Sequence, residues 1–310
     1  MKELFDFEAN PVAELLPKLL KDKTTGKNII WATDSYSKFG ELYSPQNQIT
    51  PASLGLLPRG TIMPRVGKTL EQQAARTRAK AEVFTPSWIV NQMINYRDSE
   101  WFGRENVFNI EIEQGWKSID EKIVFPNDKK WQDYVMERTI EITCGEAPFI
   151  VSRYDTTTGE IIPLYDRIGM LDRKLRVIAE NIDDENKWNA WVMKAYQSTY
   201  GYEFQGDSLI LARINLLQTY IDYYLKKWNK KPTLQQLTKI ANVIVWNIWQ
   251  MDGLSGTIPG GKIARMYKVI SLDLFGDTQE EDEDLELPCK IYDWRANHSV
   301  LFKDFRGENK

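Results

Sequence analysis

Histidine and cysteine are scarce in this chain of 310 residues. His298 is the single histidine, which leaves little room for histidine-based catalysis or for a metal site. The two cysteines, Cys144 and Cys289, lie far apart and without Cys-x-x-Cys spacing. That usage suits a reducing cytoplasm and argues against both a disulfide scaffold and a zinc site. We therefore expect no metal in this protein.

The chain also lacks long apolar runs and a large excess of charge. No apolar run approaches the roughly 20 residues of a membrane span, and the N-terminus lacks a signal-peptide core. The sequence therefore predicts a cytoplasmic protein with no membrane partner. The 40 basic and 44 acidic residues give a net charge of −4, so contact with nucleic acid would need a local basic patch.

One stretch, from Arg59 to Lys80, is strongly basic and contains a single acid, Glu71. Its cations are suited to the phosphates of a nucleic-acid backbone, so this stretch is the candidate for a phosphate-contacting patch. A solvated helix face explains the same residues equally well. The predicted DNA-contacting residues are Arg59, Arg65, Lys68, Arg76, Arg78 and Lys80.

The segment from Glu141 to Phe149 has the composition of a strand-to-helix loop. It overlaps the end of a β-branched run over 139–143, which predicts a buried strand. Gly145 allows backbone to approach a ligand closely, and Pro148 pre-sets the first turn of a helix whose N–H groups can face an anion. Such loops hold nucleoside-bearing cofactors at the edge of a parallel sheet. An ordinary strand–turn–helix connection is the alternative.

A second acid, Glu203, lies in the next predicted strand, over 200–204. A carboxylate at a strand end can accept hydrogen bonds from both hydroxyls of a ribose. Gly145 precedes it by about 58 residues, more than twice the spacing of a compact nucleotide-binding βαβ unit, so an inserted helical excursion must lie between them. The alternative is that Glu203 caps the amphipathic helix predicted over 207–227.

Two weaker features complete the pattern. Phe84-Thr85-Pro86 predicts a helix start, with Thr85 as the N-cap and Pro86 as the first helical residue. Backbone N–H groups at such a start attract anions. Downstream, the apolar run 241–249 is compatible with a helix or a strand and leads to Asp252.

In this order, the segments resemble the amino-group DNA methyltransferases of restriction–modification systems, over roughly residues 68–305. The resemblance implies a Rossmann-like sheet that binds S-adenosylmethionine. It implies that the Phe-Thr-Pro element meets the cofactor carboxylate, that Glu141 lies near the cofactor amino group, and that Glu203 binds the ribose. It also implies that Asp252 accepts a hydrogen bond from the adenine amino group, with Asp293 as the rival. The implied cofactor-binding residues are Phe84, Thr85, Pro86, Glu141, Cys144, Gly145, Glu203 and Asp252.

The chain departs from the resembled pattern in its loop and in its catalytic motif. In the loop pattern Asp/Glu-Pro-x-x-Gly-x-Gly, Ile142 replaces the proline and Ala147 replaces the second glycine. The resembled enzymes also carry a catalytic Asn/Asp-Pro-Pro-aromatic tetrad, and none of the 13 prolines here is followed by another. The resemblance therefore implies the cofactor-binding half of a DNA adenine methyltransferase, inactive alone, whose tetrad is lost or supplied by a second polypeptide. A methyltransferase-like module that performs no chemistry and an unrelated nucleotide-binding α/β protein are the alternatives.

For the fold we predict an α/β protein with a Rossmann-like methyltransferase sheet that is incomplete at its C-terminal end. Residues 1–66 are predicted to form an N-terminal arm, because residues 26–66 are rich in Ser, Pro, Gly and Asn and look irregular. Residues 67–310 are predicted to form the methyltransferase-like domain, with 154–197 as a helical insertion.

Overall fold

A computed structural model describes residues 5–69, 85–263 and 285–305, and this part of the chain mixes helices with small sheets. The α/β prediction is thereby confirmed in its general form. The described helices are α1 (Val12–Leu19), α2 (Pro51–Leu56), α3 (Ser87–Phe102), α4 (Trp131–Met136), α5 (Met170–Asn181), α6 (Glu185–Gln197), α7 (Gly206–Trp228), α8 (Leu234–Asn247) and α9 (Phe302–Phe305). The described strands are β1 (Asn109–Ile112), β2 (Gly115–Ser118), β3 (Thr139–Glu141), β4 (Thr199–Glu203), β5 (Ile248–Gln250), β6 (Thr257–Ile263), β7 (Leu285–Pro288), β8 (Lys290–Asp293) and β9 (His298–Leu301).

A sheet of three parallel strands, in the order β3–β4–β5, positions the candidate site. In its register Glu141 lies beside Gly201, and Glu203 lies beside Gln250. Each crossover between neighbouring strands contains a pair of helices, first α5 and α6 and then α7 and α8. Because parallel strands run in the same direction, the carboxyl ends of all three meet at one edge of the sheet.

The two faces of the sheet pack against different partners. Side chains alternate along a strand, so the β4 tyrosines Tyr200 and Tyr202 share one face. They form a small cluster with Trp249, Cys289 and Phe302, most of which come from the end of the chain. The main hydrophobic core extends from Phe5 to Ile248 and contains the buried residues of the long helices.

The N-terminal residues pack into this main core. In α1, Leu15, Leu16 and Leu19 are buried, and the helix packs against α8. The buried guanidinium of Arg213 in α7 donates to the Leu19 carbonyl at 2.6 Å and to the Lys21 carbonyl at 2.9 Å. Buried residues of the N-terminal segment therefore belong to the same hydrophobic core as the long helices.

Several predicted elements are confirmed, and one helix start is corrected. The amphipathic helix predicted over 207–227 is present as α7, and β8 and β9 pair as an antiparallel hairpin. The apolar run 241–249 is divided between a helix and a strand. The helix predicted to start at Pro86 begins instead at Ser87, with Pro86 in the N-cap position and no side-chain cap, so the prediction of Thr85 as N-cap was wrong. Among the described residues, no helix is both long enough and apolar enough to cross a membrane.

Candidate functional site

The loop that follows β3 is joined to the end of β4 at the carboxyl edge of the sheet. The carboxylate of Glu203 accepts hydrogen bonds from the N–H of Gly145 at 2.8 Å and from the N–H of Gln205 at 2.9 Å. Beside this contact, the Cys144 N–H donates to the Tyr202 carbonyl at 2.8 Å. The structure therefore brings together Cys144, Gly145 and Glu203, which were predicted to belong to one site despite their separation along the chain.

Glu141 ends β3 and is buried beside the same loop. Its carboxylate accepts hydrogen bonds from the N–H of Phe149 at 3.4 Å and from the N–H of Ile150 at 3.1 Å. Burial raises the pKa of Glu141 well above its ordinary value, the two N–H groups act in the opposite direction, and the charge of Glu203 raises it further. The carboxyl edge thus holds two buried acids on neighbouring strands.

The loop has an unusual backbone. Thr143, Gly145 and Ala147 have φ values of 47°, 54° and 67°, all in the left-handed region. That region is uncommon for a β-branched residue such as threonine and favours glycine. Ala147 occupies the position of the second glycine in the resembled pattern, so the backbone here has the conformation that a glycine would adopt most easily.

Glu146 lies within this loop and was missed by the sequence reasoning. It is 2% exposed. Its carboxylate accepts a hydrogen bond from the Arg65 N–H at 2.6 Å and another from the Tyr154 hydroxyl. Its main-chain carbonyl accepts from the side-chain amide of Asn215 at 3.0 Å. The one signal in the sequence was an acid flanked by Gly145 and Ala147 in a loop that was already a candidate site.

At the start of α3, the carboxylate of Asp155 lies where the resemblance implied the carboxylate of the cofactor. The Ser87 N–H donates to Asp155 Oδ2 at 2.7 Å, and the Thr156 hydroxyl donates to the Thr85 carbonyl at 3.4 Å. Hydrogen bonds to Asp155 outweigh the opposite effect of burial and lower its pKa to about 2. The helix start is therefore in contact with an ionised carboxylate. Phe84 lies outside the described residues.

Asp252 follows β5 and so lies at the carboxyl edge, one strand beyond Glu203. Its Oδ1 accepts hydrogen bonds from the N–H groups of Leu254, at 2.8 Å, and Ser255, at 3.3 Å. The rival acid, Asp293, pairs instead with Arg138 at 3.3 Å. Arg138 precedes β3 and marks the opposite, amino end of the sheet, so the geometry favours Asp252 over Asp293.

The basic residues predicted to contact DNA differ in their surroundings. Arg59 has a side chain that is 82% exposed and lies beside Glu8. Lys68 has a side chain that is 8% exposed and pairs with Asp207 at 3.6 Å, and Asp207 also accepts from the Tyr36 hydroxyl at 2.8 Å. Lys68 therefore pairs with an acid at the start of α7, and little of its side chain is accessible to a phosphate group.

Arg65 is the first residue of a short 3-10 turn, Arg65–Gly67. Its main-chain N–H donates to the Glu146 carboxylate and so holds the turn against the loop after β3. The other three predicted DNA contacts, Arg76, Arg78 and Lys80, lie outside the described residues.

Part of the N-terminal segment crosses the ends of β4 and β5. The Ile30 N–H donates to the side-chain oxygen of Gln250 at 2.9 Å, and the Gln250 amide donates back to the Ile30 carbonyl at 2.8 Å. Gly206 lies so close to the segment around Ile30 that a Cβ built on Gly206 would be 2.1 Å from the Ile30 carbonyl oxygen. The irregular composition of residues 26–66 gave no sign of this contact.

The groups at this edge are hydrogen-bond donors and acceptors. Its carboxylates are acceptors for hydroxyl and ammonium groups, and its backbone N–H groups are donors. The Cys144 thiol is a poor nucleophile there, because burial and the charges of Glu141 and Glu203 raise its pKa well above the ordinary value. Within the described ranges, no group of three or more His, Cys, Asp or Glu side chains could hold a metal ion. Comparison of the chain with models of known protein families, with curated proteins and with solved structures gives no significant match.

Proposed function

We propose that these 310 residues form the S-adenosylmethionine-binding part of a DNA adenine methyltransferase of a restriction–modification system. The observation that carries the proposal is the 2.8 Å hydrogen bond between the Gly145 N–H and the Glu203 carboxylate. It joins two of the segments that carry the resemblance, at the edge where open α/β sheets bind nucleoside-bearing ligands. In this proposal the three parallel strands belong to a Rossmann-like methyltransferase sheet.

The three acids at the strand ends suit the parts of such a cofactor. We assign the ribose hydroxyls to the Glu203 carboxylate, because an ionised carboxylate is an acceptor only and lies at the end of the middle strand. The cofactor ammonium group would favour the ionised form of Glu141, which burial alone disfavours. Asp252, on the third strand, is the acceptor proposed for the adenine amino group.

The target base requires a catalytic motif, and these 310 residues contain no Asn/Asp-Pro-Pro-aromatic tetrad. Methylation of an exocyclic amine needs acceptors for the amine and an aromatic ring that holds the flipped base. We assign the Asn/Asp-Pro-Pro-aromatic tetrad and target recognition to a second polypeptide. DNA is the substrate, and the basic segment 59–80 is its proposed backbone contact, with Arg59 as the exposed cation among its described members.

The open edge of β3 supports a partner of this kind. The Thr139 N–H donates towards β4, to the Ser198 carbonyl at 2.9 Å, so the peptide groups of the next residue, Ile140, point away from β4. The side chains of Ile140 and Ile142 are also accessible, since these residues are 45% and 65% exposed. By contrast, the outer carbonyls of β5 are occupied by side chains from Arg213 and Cys289. In the described part of the chain no strand pairs with the outer side of β3, and an edge of this kind with apolar side chains invites an added strand.

Isothermal titration calorimetry with S-adenosylmethionine tests the proposal. We expect the wild-type chain to bind the cofactor and Glu203→Ala to bind at least about tenfold more weakly, because charge-assisted hydrogen bonds to the ribose are lost. Glu180→Ala is the matched control. Glu180 also accepts a backbone N–H, that of Ile123 at 2.9 Å, on helix α5 and away from the strand ends. Absence of binding by the folded wild-type chain, or equal affinity of the Glu203→Ala protein, contradicts the assignment.

A further inference from the structure

Glu146 lies in the middle of the loop 143–147, which follows β3, and contacts three segments that are distant in the sequence. Its carboxylate is bound by the Arg65 N–H from the N-terminal side and by the Tyr154 hydroxyl from the chain that follows the loop. Its carbonyl is bound by the side chain of Asn215, which projects from α7. The loop is thus fixed through a residue that carries none of the resemblance.

Tyr154 and Asn215 are themselves in contact, so the two side chains and both the carboxylate and the main-chain carbonyl of Glu146 form one connected network. The Asn215 amide donates to the Tyr154 hydroxyl at 3.3 Å as well as to Glu146. Burial and the neighbouring charge of Glu146 raise the pKa of Tyr154 well above its ordinary value. The hydroxyl therefore keeps its proton and remains a donor to the carboxylate at neutral pH.

The loop needs such support because its backbone is strained. Residues on both sides of Glu146, Gly145 and Ala147, have left-handed φ values, as does Thr143. Strained backbone of this kind persists only where surrounding contacts hold it. A displacement of Glu146 would move the Gly145 N–H, which is the group that contacts Glu203.

We propose that Glu146 is a positioning residue for the cofactor: bound by Tyr154 and by the Arg65 N–H, it holds the loop 143–147 in the geometry that receives S-adenosylmethionine. This inference rests on the proposed function. The same contact docks the Arg65–Gly67 turn on the loop after β3, while the adjacent Lys68 reaches Asp207 at the start of α7. The turn therefore bridges the two loops that follow β3 and β4.

Two tyrosines of this chain provide a matched test. Tyr154 and Tyr134 are both buried, and each donates its hydroxyl to a buried carboxylate. The partner of Tyr134 is Asp98, at 3.1 Å, and Tyr134 lies in α4, which precedes the amino end of β3 rather than its carboxyl end. We expect Tyr154→Phe and Tyr134→Phe to lower the thermal unfolding temperature alike. Only Tyr154→Phe is expected to weaken binding of S-adenosylmethionine, by about fivefold or more, in calorimetric titration.

Glu146→Gln provides a second measurement, because glutamine retains an acceptor for the Arg65 N–H but loses the charge. We expect its affinity loss and that of Tyr154→Phe to overlap, so that the double variant binds no more weakly than the weaker single variant. Equal affinities of Tyr154→Phe and Tyr134→Phe, in a wild-type background that binds the cofactor, overturn this inference alone. Affinity losses of Glu146→Gln and Tyr154→Phe that simply add also overturn it. A wild-type chain that binds no cofactor overturns the proposed function and this inference together.

Discussion

At the scale of single residues, Ala147 has a backbone conformation that is unfavourable for any residue with a Cβ atom. Its φ of 67° lies in the left-handed region, and its methyl group is fully buried. Left-handed backbone costs a residue with a Cβ roughly 1–2 kcal/mol. Glycine would relieve that cost at this position, although it also adds freedom to the unfolded chain.

A pair of glycine variants measures this strain. We expect Ala147→Gly to be less destabilising than Ala212→Gly by about 1–2 kcal/mol in urea unfolding. Ala212 is equally buried and lies inside α7, where the backbone is helical, so the lost methyl group and the added chain freedom are matched. Equal free energies of unfolding for the two variants would show that the loop is relaxed.

At the scale of elements, the two outer strands of the parallel sheet differ. The outer carbonyl of Ile248 in β5 accepts from Arg213 at 2.8 Å, whereas β3 presents the exposed side chain of Ile140 at its edge. Within the described residues no strand pairs with the outer side of β3, so this is the edge at which the proposed partner would add a strand. The short length of β3, three residues, also limits how much of the edge is offered.

The proposed division of the enzyme predicts that methyl transfer depends on a second polypeptide. We expect no methyl transfer to DNA by the 310-residue chain alone, and transfer when it is mixed with a polypeptide that carries the Asn/Asp-Pro-Pro-aromatic tetrad.

A lysine at the edge of β3 should block the partner while leaving the chain folded. Ile140→Lys should abolish the restored activity, because a charge would replace the apolar contact. Ile161→Lys is the control, since Ile161 is 63% exposed and lies outside the parallel sheet. Methylation by the isolated chain contradicts the split arrangement, and equal activity of the two lysine variants contradicts the assignment of the β3 edge to the partner.

At the scale of the whole molecule, buried acids make stability depend on pH. Asp172 in α5 is fully buried; its Oδ2 accepts from the Ser152 N–H at 2.7 Å, while its Oδ1 has no hydrogen-bond partner. Burial raises its pKa from 3.8 to about 6, against the opposing effects of Arg167 and of the Ser152 hydrogen bonds. The folded protein therefore holds this proton more tightly than the unfolded chain does.

This difference sets the sign of the pH effect. The stabilising contribution of the proton on Asp172 is complete below pH 3.8 and is lost as the pH rises to about 6. Relative to the wild type, Asp172→Asn should thus gain up to about 3 kcal/mol of unfolding free energy between pH 4 and pH 6.5. Urea unfolding across this range measures the gain, and a difference that does not change with pH would place the pKa of Asp172 near its ordinary value.

The sequence by itself determined the local elements and the chemical types at the candidate site. A β-branched run predicted β3, apolar spacing predicted α7, and Gly145 and Glu203 stood out as a close-approach glycine and a strand-end acid. These features depend on residues within a few positions of one another, so composition and periodicity are sufficient to find them.

Only the tertiary structure decided which of these features meet and what holds them. Glu146 and the Arg65 N–H are 81 positions apart, and Ile30 and Gln250 are 220 positions apart. Residues 26–66 show no periodicity, yet part of this segment lies across two strand ends, and Asp155 occupies a helix start assigned to an outside anion. Such contacts depend on the path of the chain through space, and local propensity carries no information about that path.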